Sequence, residues 1–175
     1  MGQEREFERV KLFCGLIFGD DTLYEKVKTR LSQAFSDLDR ESSRFPFDVT
    51  TYYNDEMGYP LYRRFVSFND LVSPMCLADC KSFTNRLEGE YAVAGGRRIN
   101  IDPGVISRAN VIMATTKNHY HRVPLSGGIY AHLEYVLRDR VLQTLPWTYP
   151  DFRTSPYMAF FENLRQDLRR QLREA

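Results

Sequence analysis

Val10-Lys11-Leu12-Phe13-Cys14-Gly15-Leu16-Ile17-Phe18 is the stretch that most limits how this chain can fold. From Leu12 to Phe18 no polar side chain interrupts it. Crossing a bilayer takes about 20 such residues, so a run this short predicts a buried central strand. Gly19-Asp20-Asp21 reads as the turn after it. Either aspartate can cap a helix in which Leu23, Val27, Leu31 and Phe35 share one face.

Two extended segments are expected next, around residues 39–49 and 61–68. A polar, aromatic loop from Thr50 to Pro60 separates them. Ser73-Pro74 supplies a cap and a first-turn proline for a second helix, whose apolar face runs through Leu77, Cys80, Phe83, Leu87 and Tyr91. Gly95-Gly96 breaks it. A short strand over 97–101 is expected to end in an Asp102-Pro103-Gly104 turn, and 109–114 forms another strand. Segments 119–125 and 129–137 alternate around Gly127-Gly128 as a hairpin, followed by a strand over 141–145. Pro146-Trp147-Thr148-Tyr149-Pro150-Asp151 is a rigid aromatic connection, expected to plug the end of the core, with stacking of Trp147 and Tyr149 on a base or ring as the other reading. Ser155-Pro156 opens a last helix striped by Tyr157, Phe160, Phe161, Leu164, Leu168 and Leu172. Strand, helix, strand, strand, helix, strand is the ferredoxin-like split β-α-β order. The expectation is an α+β fold, its mostly antiparallel sheet extended by hairpins, with a C-terminal helix packed on it. No repeat or linker divides residues 1–175, so one domain is expected, with 1–9 a charged lead-in.

With 43% apolar residues, the 175-residue chain has ample material for a core. Its net charge of +1 gives no global field for nucleic acid or membrane. The charged start lacks the apolar stretch of a signal peptide. Three cysteines, Cys14, Cys76 and Cys80, are an odd, sparse set that fits reduced thiols in a cytoplasm.

Several strings together resemble one family. They include Ser43-Arg44-Phe45-Pro46-Phe47-Asp48, Tyr52-Tyr53-Asn54-Asp55-Glu56-Met57-Gly58, Thr84-Asn85-Arg86-Leu87-Glu88, Asn100-Ile101-Asp102-Pro103-Gly104, His121-Arg122-Val123 and Leu145-Pro146-Trp147-Thr148-Tyr149-Pro150. The chain resembles the bacterial domain-of-unknown-function family numbered forty-four sixteen along nearly all its length. The resemblance implies a bacterial cytosolic single-domain protein and brings no established activity, although members often carry a GTP-binding label. The residues give that label little: no G-x-x-x-x-G-K-[ST] phosphate loop is present, since Gly15 and Gly19 lack the lysine. Thr116-Lys117-Asn118-His119 resembles a guanine-reading string, but His119 replaces its aspartate. A P-loop GTPase is not expected.

All three histidines fall between residues 119 and 132. His119 and His121 would share a strand face, and a two-residue loop at Ser126-Gly127 would set them opposite Glu134 and His132. Those four groups could hold a divalent metal and activate water, as in a metal-dependent hydrolase. A three-residue loop would put the two pairs on opposite faces. The family pattern supports His121 alone, as a catalytic general base or anchor. The lead expectation is a pocket for a small anionic, nucleotide-like ligand. It would lie between the Thr50–Pro60 loop, Asp102 and the 117–121 segment, with Lys117 and Arg64 supplying charge and Asp48 and His121 polar contacts. An interaction module without catalysis is the third reading.

Overall fold

The computed structural model describes residues 2–174. The apolar run is strand β1 (Val10–Phe18), buried at every position. It is followed by α1 (Asp21–Phe35), β2 (Leu38–Glu41), β3 (Phe45–Pro46), the short α2 (Asn54–Met57), β4 (Tyr62–Val72) and α3 (Leu77–Glu90). Then come β5 (Ile99–Ile106), β6 (Asn110–Thr115), β7 (Val123–Pro124), β8 (Tyr130–Arg138), β9 (Val141–Thr144) and α4 (Ser155–Glu174).

β1 alternates, and both of its faces are covered. Leu12, Cys14, Leu16 and Phe18 pack with Leu23, Val27 and Leu31 of α1 and Leu77 and Leu87 of α3. Phe13 points to the other side, among Phe65 and the α4 residues Phe160, Phe161 and Leu164. Lys11, the one charge in the strand, is fully buried. Its ammonium donates to the Phe68 carbonyl at 2.9 Å and to Gln171 at 2.8 Å, and it pairs with Asp39, so its three donors are all used.

The sheet is antiparallel throughout, in the order β2-β4-β1-β5-β6-β8-β7, with β3 on β4 and β9 on β8. Its first four strands have the split β-α-β order expected from the sequence. α1 starts where Asp20 accepts from the amides of Thr22 (2.8 Å) and Leu23 (3.1 Å). A carboxylate therefore occupies the helix N-terminus at which a phosphate loop would hold its anion.

Three expectations change. The segment expected over 39–49 forms two short pieces, β2 and β3, while the one expected at Leu61 runs on to Val72. Asp102-Pro103-Gly104 is not a turn: β5 continues through it to Ile106, because β1 pairs with it along its whole length. Pairing of β5 with β6 covers only Gly104–Ile106 and stops beside Pro103, which has no N–H to give. Finally, the 119–125 strand reduces to Val123-Pro124, and a three-residue loop follows, across which Leu125 N–H donates to the Ile129 carbonyl at 2.9 Å and Ile129 N–H to the Ser126 carbonyl at 3.0 Å.

Gly104 shows how tightly β5 is held between its neighbours β1 and β6. A Cβ there would strike the Phe13 ring and lie 2.8 Å from both the Ile112 carbonyl and the Met113 sulfur. Gly104→Ala should therefore cost about 2–3 kcal/mol, read as a lower urea midpoint at unchanged slope. A midpoint equal to that of the natural chain would refute the packing described.

Candidate functional site

Beyond Gly104 the two strands part, and a cavity of about 550 Å³ opens between them. Asn100 and Asp102 of β5 line one side; Met113, Ala114 and Thr115 of β6, with Lys117 beyond them, line the other. α3 contributes Lys81, Asn85 and Glu88, spaced so that one helix face looks into the cavity. Phe47, Tyr52 and Tyr53 come from the loop after β3, and Tyr149, Asp151 and Phe152 from the segment before α4.

A network of paired charges runs through this lining. Lys81 donates to Asp102 (2.9 Å) and to the Ile101 carbonyl (2.9 Å). Asn100 donates to the other Asp102 oxygen at 2.6 Å and accepts from Arg97 at 3.0 Å. Arg97 also grips Glu56 with Nε and Nη2 (2.9 and 2.7 Å), which ties the Tyr52-Tyr53 loop to β5. Arg63 is buried and lies 3.2 Å from Asp151. Burial pushes the Asp102 carboxyl up, but Lys81, Arg63 and its hydrogen bonds outweigh that and hold it below its ordinary value. Glu88 is the opposite case: burial drives it up to about 7, against the pull of Lys81 and Arg97. Lys117 differs from the other three cations. Its ammonium sits over the Tyr52 ring, 4.2 Å from the centroid, and forms no ion pair among the described residues.

The histidines meet by a route the hairpin register does not supply. The three-residue loop would have set them apart, but residues 117–122 leave the sheet and turn back, with Arg122 N–H donating to the His119 carbonyl at 3.0 Å. His119 Nδ1 is 2.9 Å from His121 Nδ1, and His121 Nε2 is 3.1 Å from His132 Nδ1. His132 Nε2 is 2.8 Å from Glu134 Oε2, and neither atom has another partner among the described residues. A one-residue bulge in β8 opposite the Val111–Ile112 step of β6 accompanies this arrangement. The four groups are thus strung in a line from an exposed ring to a buried carboxylate, instead of converging on a point. Among the described residues, no group of three or more His, Cys, Asp or Glu side chains is placed to hold a metal ion.

Arg122 joins this line to the cavity. It donates to His132 Nδ1 (3.2 Å), the Lys117 carbonyl (2.7 Å) and the Tyr149 hydroxyl (2.7 Å). Tyr149 stacks on His132 at 4.7 Å, and its amide donates to Glu134 at 2.8 Å. The connection expected to be rigid is pinned further by Trp147 Nε1 to the Leu133 carbonyl and Thr148 Oγ1 to the Glu134 carbonyl, at 2.8 and 2.6 Å.

Of the residues singled out in the sequence, Asp102 and Lys117 line the cavity. Asp48 does not; it is exposed between Phe47 and Val49, which do. Arg64 lies on the α1 side of the sheet, paired with Glu41 of β2 and close to the Tyr24 ring of α1; Arg63, one position earlier and so on the opposite strand face, takes the place expected of it. His121 lies behind Tyr149, outside the lining. Sequence reasoning missed Lys81, Asn85 and Glu88. Their spacing of four and three residues marks a polar stripe beside the apolar one on α3.

Two measurements follow from this geometry. Folded Glu88 keeps its proton between about 4.5 and about 7, where the unfolded chain has released it, so its contribution to stability falls as pH rises through that window. The stability of Glu88→Gln relative to the natural chain should therefore rise by about 2–3 kcal/mol between pH 5 and pH 8 in urea melts; a pH-independent difference would contradict it. Trp147, the only tryptophan, stacks on His121 at 4.9 Å and 10°. Burial, His132, His119 and Arg122 all press His121 below its ordinary value of 6.5. Tryptophan emission should fall on acidification with a midpoint below 6.5, as imidazolium forms against the indole, and lose that titration in His121→Ala.

No curated protein and no solved structure matches the chain. No helix among the described residues is long and apolar enough to cross a membrane. A family model, that of the domain of unknown function DUF4416, matches residues 8–168, from the lead into β1 to the last turns of α4, and thereby takes in every cavity residue named above. The chain belongs to the DUF4416 family.

Proposed function

We propose that the cavity between β5 and β6 binds a small anionic, nucleotide-like ligand. The observation that carries this reading is the position of Lys117. It lines the cavity as a cation outside any ion pair among the described residues, its ammonium over the Tyr52 ring, in a cavity that Tyr53 and Tyr149 also line. The other lining cations, Arg63, Lys81 and Arg97, are each paired with a carboxylate, so they fix the wall and bring little free charge. An anion at Lys117 meets an unspent partner, while a planar group can rest against the rings. A volume near 550 Å³ suits a ligand of mononucleotide size. The setting we read is a reducing bacterial cytoplasm, supported by three free thiols at Cys14, Cys76 and Cys80.

A thermal-shift screen of nucleotides, phosphorylated metabolites and inorganic phosphate, with and without divalent metals, tests the reading. A ligand held at about 100 times its Kd adds about 2.7 kcal/mol, or about 5–10 °C in Tm for a chain of this size. Lys117→Ala should leave the unliganded Tm in place and remove most of that shift. If no compound raises Tm, or if Lys117→Ala retains the full shift, the reading fails.

A further inference from the structure

We propose that Glu88, with Asn85 beside it, reads the ring end of the ligand by accepting a hydrogen bond from a ring-borne N–H, so that the ligand is a nitrogen heterocycle carrying an anionic arm. This inference rests on the cavity reading above and adds to it the chemistry of the second end of the ligand.

The Glu88 carboxylate is 5% exposed and held at one oxygen only. Oε1 accepts from the Ile101 amide at 2.7 Å. The cations nearby stand off: Lys81 Nζ is 3.8 Å from Oε1, and Arg97 Nη1 is 3.7 Å from Oε2. Both are beyond hydrogen-bonding reach, because Asp102 holds the lysine at 2.9 Å and Glu56 holds the arginine at 2.7 Å. A carboxylate in the wall of a cavity, fixed at one oxygen and without a protein donor at the other, leaves that second oxygen free to accept from whatever occupies the cavity. Burial raises its pKa to about 7.

Above about pH 7, where Glu88 is ionised, an occupant that pairs with it must donate, since a carboxylate oxygen only accepts. Tyr53 and Tyr149 line the same cavity and suit a planar group, and an N–H on the edge of a heterocycle combines the two properties. Asn85 lies one helical turn before Glu88 on the same face, and its amide can donate to the acceptor that neighbours such an N–H in nucleobases. Lys117 then takes the anionic arm. A sugar phosphate satisfies Lys117 but brings neither a ring to the tyrosines nor an N–H to Glu88.

Glu88→Gln is the discriminating change. Its carbonyl oxygen keeps the Ile101 amide as donor, which turns the NH2 toward the ligand and replaces an acceptor by a donor at nearly constant shape. Calorimetric titrations at pH 8 would compare purine and pyrimidine nucleoside monophosphates, ribose 5-phosphate and inorganic phosphate, using the natural chain, Glu88→Gln, Asn85→Ala and Lys117→Ala. The expected result is tighter binding of at least one nucleotide than of ribose 5-phosphate. Glu88→Gln should weaken that nucleotide at least tenfold while leaving ribose 5-phosphate and phosphate within twofold, and Lys117→Ala should weaken all of them. Equal affinity for ribose 5-phosphate and every nucleotide overturns the inference but leaves the anion cavity standing, as does wild-type nucleotide affinity in Glu88→Gln. Absence of binding by every probe overturns both. A merely structural role for Glu88 would lower affinity for all probes alike, and that outcome also counts against the inference.

Discussion

The fold depends on β1 being buried on both faces and paired on both edges. A strand in that position has no solvent side, which is why its sequence shows continuous hydrophobicity in place of alternation. Its two edges take β4 and β5, and its two faces take the α1–α3 layer and the α4 layer. The close fit at Gly104 is a consequence: the Phe13 ring of β1 lies where a side chain from the neighbouring strand would have to go.

The cavity arises where this regular pairing gives out. β5 remains bound to β1 as far as Ile99, but it is released from β6 at Gly104, next to a proline. The polar residues Asn100 and Asp102 then lie at a sheet opening, and α3 brings Lys81 and Glu88 to them. Such a concentration of charge in a low-dielectric interior is tolerable only because nearly every member is matched. The members left short are Lys117, which has no ion-pair partner among the described residues, the second oxygen of Glu88, and, inside the Arg63–Asp151 pair, Arg63 Nε and Asp151 Oδ2, which lack hydrogen-bond partners.

The sequence made some of this legible and hid the rest for identifiable reasons. The helices could be read from apolar spacing and caps, and the split β-α-β order from the succession of elements. Strand parity could not be read where both neighbours are arginines: Arg63 and Arg64 are chemically identical, and only the register with β1 decides which one faces Asp151. Asp102-Pro103-Gly104 has the composition of a turn, yet eight residues of pairing with β1 hold it extended. For the histidines the alternation argument fails, because the segment bearing His119 and His121 is not a strand. Their contact with His132 comes from the fold-back held by Arg122.

By itself the sequence determined what is local: a doubly buried first strand, the capped helices, and the rigid aromatic connection through Trp147 and Tyr149. These follow from side-chain periodicity and backbone chemistry within a few residues. Tertiary structure alone decided that Lys81, Glu88, Arg97, Asp102, Lys117 and Asp151 enclose one space, and that three imidazoles and Glu134 form a line. Those arrangements depend on where two strands cease to pair and on which face a one-residue offset presents. Neither can be computed from spacing along the chain, because both are set by contacts between segments far apart in it.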